Sequence, residues 1–314
     1  MCSIQNSLAR KTMKQMSITQ QEFTESMDTF FTGLGGPVGV FVDHLDTDLV
    51  LEYNADDLYP TASTLKTPLL YELYRQAEEG KIDLQERVTL SHDNRVPGSG
   101  VLQDLDEGLQ PTIRDLAELM IIVSDNWATD LLYERITKEA MASRLKELGL
   151  NNTFIPMTIR EMFCALADMD PADESVTYET LKEHLKNYKS SDDCLAYAAD
   201  SRNDVSSPRD MGKLMRLIHE GQGLSEESRA GIIKILKDQN FNTVIPGRLP
   251  VDKNIETAHK TGSLRGVKAD VGIVYSPNLN YIITFMSKKQ DDSAETTDRM
   301  AHASRWVWNR LSGD

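Results

Sequence analysis

Three short segments carry residue types that could do nucleophilic chemistry. In Ser63-Thr64-Leu65-Lys66 a hydroxyl and an amine stand three residues apart at the opening of an apolar-periodic helix, so they share a face and the amine can reach the hydroxyl. A serine is a weak nucleophile without an adjacent base, and a desolvated, neutral lysine supplies one. At a helix start, unpaired backbone N–H groups and the positive end of the dipole also favour developing negative charge. The same residues equally describe an N-cap serine with a solvated lysine one turn later, and a second Ser-x-x-Lys, Ser143 to Lys146, falls in mid-helix.

Ser124-Asp125-Asn126 closes the apolar run Leu119 to Val123. Its hydroxyl and carboxamide could relay a proton and hold a substrate amide, or the triplet could simply cap the helix that begins at Trp127. Lys260-Thr261-Gly262 sits at the end of the strand-like run Ile255 to His259. A glycine there lets a ligand backbone approach closely, and an edge strand offers N–H and C=O groups to a peptide-like substrate. The plain alternative is a strand end with an exposed lysine. His259, one residue earlier, would face the opposite side of the sheet. The six histidines form neither H-E-x-x-H nor a close pair, so no metal site and no cofactor is expected.

Something must hold these segments together, and the hydrophobic periodicity says what. Ser17 to Phe31 reads as a helix, ended by Gly33-Leu34-Gly35-Gly36-Pro37, which lacks the spacing of a phosphate cradle. Val38 to His44 and Leu49 to Tyr53 read as a hairpin. From 63 to about 237 the pattern is nearly all helical, with segments near 63–79, 112–123, 126–136, 138–148, 159–168, 178–187, 207–220 and 225–237. Strand character returns in Ile255 to His259, Lys268 to Tyr275 and Tyr281 to Ser287, and Asp298 to Leu311 closes as a helix. Strands at both ends with helices between them predict an α+β fold: an antiparallel sheet built from both termini and flanked by helices, with an inserted helical region. The expected division is a discontinuous sheet domain, 17–60 plus 251–314, a helical domain over 61–250, and a disordered 1–16.

Composition narrows the partners. With 34 Lys plus Arg against 49 Asp plus Glu, the formal charge of −15 excludes a phosphate-gripping surface, and nucleic acid is not an expected partner. No apolar run approaches the roughly 20 residues of a membrane span. Arg10, Lys11 and Lys14 are not followed by the apolar stretch of a secretory signal, so the expected address is cytoplasmic, or periplasmic or secreted if the natural N-terminus differs. Cys2, Cys164 and Cys194 read as free thiols. The expected partner is a small-molecule substrate.

The three segments in this order resemble the serine β-lactamase and penicillin-binding protein superfamily, its class A-like branch most closely. Pro60-Thr61-Ala62-Ser63, the stretch Met120 to Leu132, Ser207-Pro208-Arg209-Asp210-Met211 and Lys260-Thr261-Gly262-Ser263 share the likeness, which runs from about Phe23 to Leu311. It implies a β-lactamase-like fold and hydrolysis of a β-lactam amide through an acyl-enzyme on Ser63. Lys66 would accept or share the proton, and Ser124 would pass it to the leaving nitrogen. Asn126 would hold the substrate side-chain amide, Lys260, Thr261 and Ser263 the carboxylate. Gly262 belongs to that same strand motif, and the backbone N–H groups of Ser63 and Ser263 would form the oxyanion hole. The departure concerns deacylation. Class A enzymes carry Glu-x-x-Leu-Asn, whose glutamate activates water; here Arg160-Glu161 is followed by Met162-Phe163-Cys164-Ala165, inside a long acidic insertion near 158–203. Glu161 is the first candidate base, with Glu174 and Asn203 behind it. The alternatives are an esterase or D,D-peptidase-like amide hydrolase on a non-lactam substrate, and a sensor module that stays acylated.

Overall fold

The computed structural model describes residues 18–188 and 193–313 of the chain. The disorder expected for 1–16 falls outside the described residues. Helix α1 (Gln20–Phe31) opens on a capping box, the Thr19 hydroxyl accepting from the Glu22 N–H while the Glu22 carboxylate accepts from the Thr19 N–H. Strands β1 (Val38–His44) and β2 (Val50–Tyr53) follow, and the last three strands, β5 (Glu256–Leu264), β6 (Val267–Ser276) and β7 (Leu279–Ser287), join them in one antiparallel sheet of order β2-β1-β7-β6-β5. The expected sheet from both ends of the chain is thus present, with β5 at one edge.

Alternation along the strands sends side chains to two cores. Tyr281, Ile283 and Phe285 join Val38, Val40 and Val42 against α1 and the closing helix α10 (Ser293–Ser312), where Phe23 and Phe30 meet Trp306 with ring centroids 6.2 and 6.4 Å apart. Ile282 and Met286, one step out of phase, face the helical region. That region holds α2 (Lys66–Glu78), α3 (Ile113–Ile122), α4 (Asn126–Ile136), α5 (Lys138–Glu147), α6 (Ile159–Ala167), α7 (Tyr178–Leu185), α8 (Pro208–Glu220) and α9 (Glu226–Lys237). Helix α8 lies close against the sheet, because a Cβ on Gly212 would come within 2.3 Å of the Phe41 ring.

Four boundaries differ from the sequence expectation. Ser63 lies inside a 3-10 turn (Ala62–Leu65) that precedes α2. Strand β5 continues through Lys260-Thr261-Gly262 to Leu264, held in register by β6, because cross-strand pairing extends the strand beyond its β-branched run. Helix α10 begins at Ser293, where Asp292 caps two N–H groups. Two strands too short to show a period, β3 (Tyr59–Pro60) and β4 (Val205–Ser206), pair antiparallel. Beside them Phe154 and Val205 exchange two hydrogen bonds of 2.9 Å, so the segment between them leaves and returns at one point. Its exit is tied to the Ser63 turn, the Thr61 N–H and hydroxyl both donating to the Asp204 carbonyl.

Candidate active site

A cavity of about 240 Å³ opens between the sheet edge and the helices. Ser63, Ser124, Thr261 and Ser263 line it with Ser99, Phe241, Thr243, Val244 and Lys268. Local backbone geometry aims the serines. Ala62 has φ +44 and Ser124 φ +56, conformations that cost a non-glycine residue about 1–3 kcal/mol and persist only where surrounding contacts hold them. For Ser124 those contacts come from Asp125, which caps α4 through the Ala128 N–H and accepts the Val101 and Leu102 N–H groups at 2.7 and 2.9 Å. The 95–103 loop is thereby stitched to the Ser-Asp-Asn segment.

Lys66 is fully buried. Its Nζ donates to the Ser124 carbonyl (2.7 Å), the Ser124 Oγ (3.0 Å) and the Asn126 Oδ1 (2.8 Å). These three bonds replace the direct Ser63 to Lys66 contact that the spacing suggests; the Ser63 hydroxyl has no hydrogen-bond partner among the described residues and faces the cavity. Burial pushes the Lys66 amine well below its ordinary pKa and the nearby Lys260 charge pushes it further, against Asp125 and Asp130. Both effects favour the neutral amine, the state a general base requires. The same burial keeps Asn126 at its post, its Nδ2 donating to the Pro97 carbonyl.

On the opposite wall, Lys260 is also fully buried, bonded to the Thr261 carbonyl (2.8 Å) and the Gln239 Oε1 (3.4 Å), and burial lowers its pKa to about 7. Gln239 also takes the Thr261 hydroxyl and is fixed by donating to the His259 carbonyl. His259 points to the other face, between Asp270 (2.8 Å) and Asn242 (3.0 Å), as alternation requires. Gly262 permits a close approach: a Cβ there would lie 2.6 Å from the Thr61 carbonyl and 3.0 Å from the Ser63 nitrogen. The strand therefore runs against the Ser63 turn.

The sequence reading missed part of this wall. Lys268, whose Nζ donates to the Ser263 Oγ at 2.7 Å, was legible only through the β5–β6 register that pairs it with Ser263. Ser99, which donates to the Ser124 carbonyl at 2.8 Å, sits between Gly98 and Gly100, both at positive φ, and Pro97-Gly98-Ser99-Gly100 was the available signal. No sequence signal pointed to Gln239, Phe241, Thr243 or Val244.

The candidate deacylation groups are committed elsewhere. Glu161 closes a capping box with Thr158 and pairs with Lys138 at 2.5 Å; Glu174 is exposed; Asn203 donates to the Ala196 and Ala198 carbonyls. None of them lines the cavity. Asp130, buried beneath, accepts the Ile159 and Arg160 N–H groups at 2.7 and 2.8 Å, and burial raises its pKa to about 7.

The sheet-edge cleft thus sets a serine on a strained turn beside a buried lysine, and comparison with known proteins gives the family. The β-lactamase enzyme family matches residues 22–311, and the chain belongs to it. β-Lactamase VEB-1 of Pseudomonas aeruginosa is 22% identical over 285 residues, covering 87% of this chain and 84% of that protein. A solved β-lactamase from Sphaerobacter thermophilus superposes with a TM-score of 0.78 at 23% identity, covering 95% of this chain and 99% of that one. The structure of PBP-A gives 0.76 at 27%, with 94% and 96% covered, and a mutant of PBP-A solved as its acyl-enzyme with penicillin G gives 0.75. Family and fold are those of β-lactamase-like hydrolases. No helix among the described residues is long and apolar enough to cross a membrane.

Proposed function

We propose that the protein is a serine hydrolase whose Ser63 attacks the carbonyl of a β-lactam amide and becomes acylated. The Ser63 Oγ–carbon bond forms as the lactam C–N bond breaks; the serine proton passes through Lys66 and Ser124 to the leaving nitrogen. The backbone N–H groups of Ser63 and Ser263 stabilise the oxyanion, a device worth about 10²–10³ in rate per donor. Lys260, Thr261 and Ser263, with Lys268, hold the substrate carboxylate, and Asn126 offers its remaining amide hydrogen to the substrate side chain. The observation that carries the reading is the Lys66 amine: buried, depressed in pKa, and bonded to Ser124 directly beside the Ser63 turn.

Hydrolysis of the acyl-enzyme is the slow step. Glu161, the carboxylate nearest the family's water-activating position in sequence, is held by Thr158 and Lys138, and both Asp130 oxygens are held by backbone N–H groups. These interactions favour a long-lived adduct over rapid turnover. Intact-mass measurement after exposure to 6-aminopenicillanic acid tests the acylation half. One adduct per chain on Ser63, lost in Ser63→Ala, is expected; lactam hydrolysis that persists in Ser63→Ala contradicts it. One equivalent of lactam ring opening, followed by a steady rate at least a hundredfold slower, is expected of the second half.

A further inference from the structure

The segment between α6 and β4 touches both walls of the cleft, and it does so through tyrosines. On the helical side the Tyr178 hydroxyl donates to the Gln103 Oε1 at 3.0 Å, and the Gln103 Nε2 donates to the Gly98 carbonyl at 2.5 Å and the Gly100 carbonyl at 3.4 Å. The Arg95 guanidinium lies over the Tyr178 ring, 4.3 Å from its centroid, and donates to the Gln103 carbonyl. Both contacts bear on the loop that places Ser99 in the cavity. On the sheet side the Tyr188 hydroxyl accepts the Arg265 N–H at 3.2 Å, and the Arg265 guanidinium stands 5.2 Å from the Tyr188 ring centroid. Arg265 lies in the turn between Ser263 and Lys268, at the end of the edge strand.

One segment thus ties the two walls together. An extended substrate pairing along β5 would run past Ser263 toward Arg265, where Tyr188 already holds the backbone N–H. The space in the cleft, about 240 Å³, is below the roughly 300–1,000 Å³ usual for small-molecule pockets. Resting on the Ser63 reading above, we infer that α7 and Tyr188 set the specificity of this site: they hold the cleft narrow, so that it accepts acyl donors with a compact substituent next to the scissile amide and rejects bulky ones. Tyr178 and Tyr188 act through the walls, as positioning residues, and touch no reacting atom.

Two penams that share one nucleus separate this from a general effect on catalysis. Acylation rates for 6-aminopenicillanic acid, with a bare amine, and for piperacillin, with a large acylated side chain, are measured by intact mass for the wild type, Tyr178→Ala, Tyr188→Ala and Tyr188→Phe. The wild type should favour the bare nucleus at least tenfold. Each alanine variant should speed piperacillin at least tenfold and leave 6-aminopenicillanic acid within about threefold, while Tyr188→Phe, which keeps the ring over Arg265, should fall between. Equal rates for the two penams in the wild type, or an unchanged ratio in both alanine variants with unaltered thermal unfolding, would overturn the inference while leaving acylation of Ser63 standing. If neither penam acylates the wild type, the Ser63 reading itself fails and this inference fails with it.

Discussion

Lys66 and Lys260 are both fully buried, yet the chemistry proposed for them needs opposite charge states. Lys66 works as a base only when neutral, and burial together with the Lys260 charge pushes its pKa in that direction. Lys260 attracts a carboxylate only when charged, and it holds its proton below about pH 7. Acylation efficiency should therefore rise as pH climbs through the Lys66 pKa and fall as pH passes about 7, since the limbs of such a profile report the free enzyme's groups. In Lys260→Arg, whose guanidinium keeps its proton, the alkaline fall should disappear or move upward; an unchanged alkaline limb would remove Lys260 from carboxylate binding. Both lysines were legible in the sequence, because residue type and spacing named them. Their surroundings were not: Ser124, not Ser63, receives the Lys66 hydrogen bond, and Lys268 and Gln239 come into the site only through tertiary pairing.

Among the elements, the approach of β5 to the Ser63 turn leaves no room for a side chain at Gly262. In Gly262→Val the strand must retreat from the Thr61 carbonyl and the Ser63 nitrogen, so acylation should drop at least a hundredfold, with a smaller loss of thermal stability; a variant acylated at the wild-type rate would show the close approach to be irrelevant. A second test concerns the strand exit at Asp204, which is buried, accepts the Met157 N–H, and has one carboxylate oxygen without a partner among the described residues. Burial raises its pKa well above the ordinary value, with Asp130 adding to the rise. A carboxyl group raised in the folded state favours folding at low pH, and that contribution is lost as pH rises from the unfolded value of about 3.9 through the folded one. Asp204→Asn removes the ionisation. Its unfolding temperature relative to the wild type should be higher at pH 8 than at pH 5, and a pH-independent difference would contradict the buried-charge reading. The long helices and strands were readable from periodicity, but β3, β4 and the paired Phe154 and Val205 were not, since two-residue strands carry no period and the partners lie about 145 residues apart for β3 and β4 and about fifty for Phe154 and Val205.

At the scale of the molecule, the formal charge of −15 says little about the site. Lys260 and Lys268 bring positive charge to the carboxylate side of the cleft inside an acidic protein, and only the fold collects them. The α+β layout followed from strands at the two ends of the chain, whereas the fate of the long acidic insertion did not follow from its composition: it spans the cleft from the 95–103 loop to Arg265. The proposed function rests on acylation of Ser63 in a cleft whose nearby carboxylates are held by other groups. Time-resolved intact-mass spectrometry of the whole protein with 6-aminopenicillanic acid reads that directly. The prediction is a single adduct on the peptide containing Ser63, formed at one equivalent, persisting far longer than it takes to form, and absent from Ser63→Ala. Lactam hydrolysis without an adduct, or hydrolysis retained in Ser63→Ala, would contradict it.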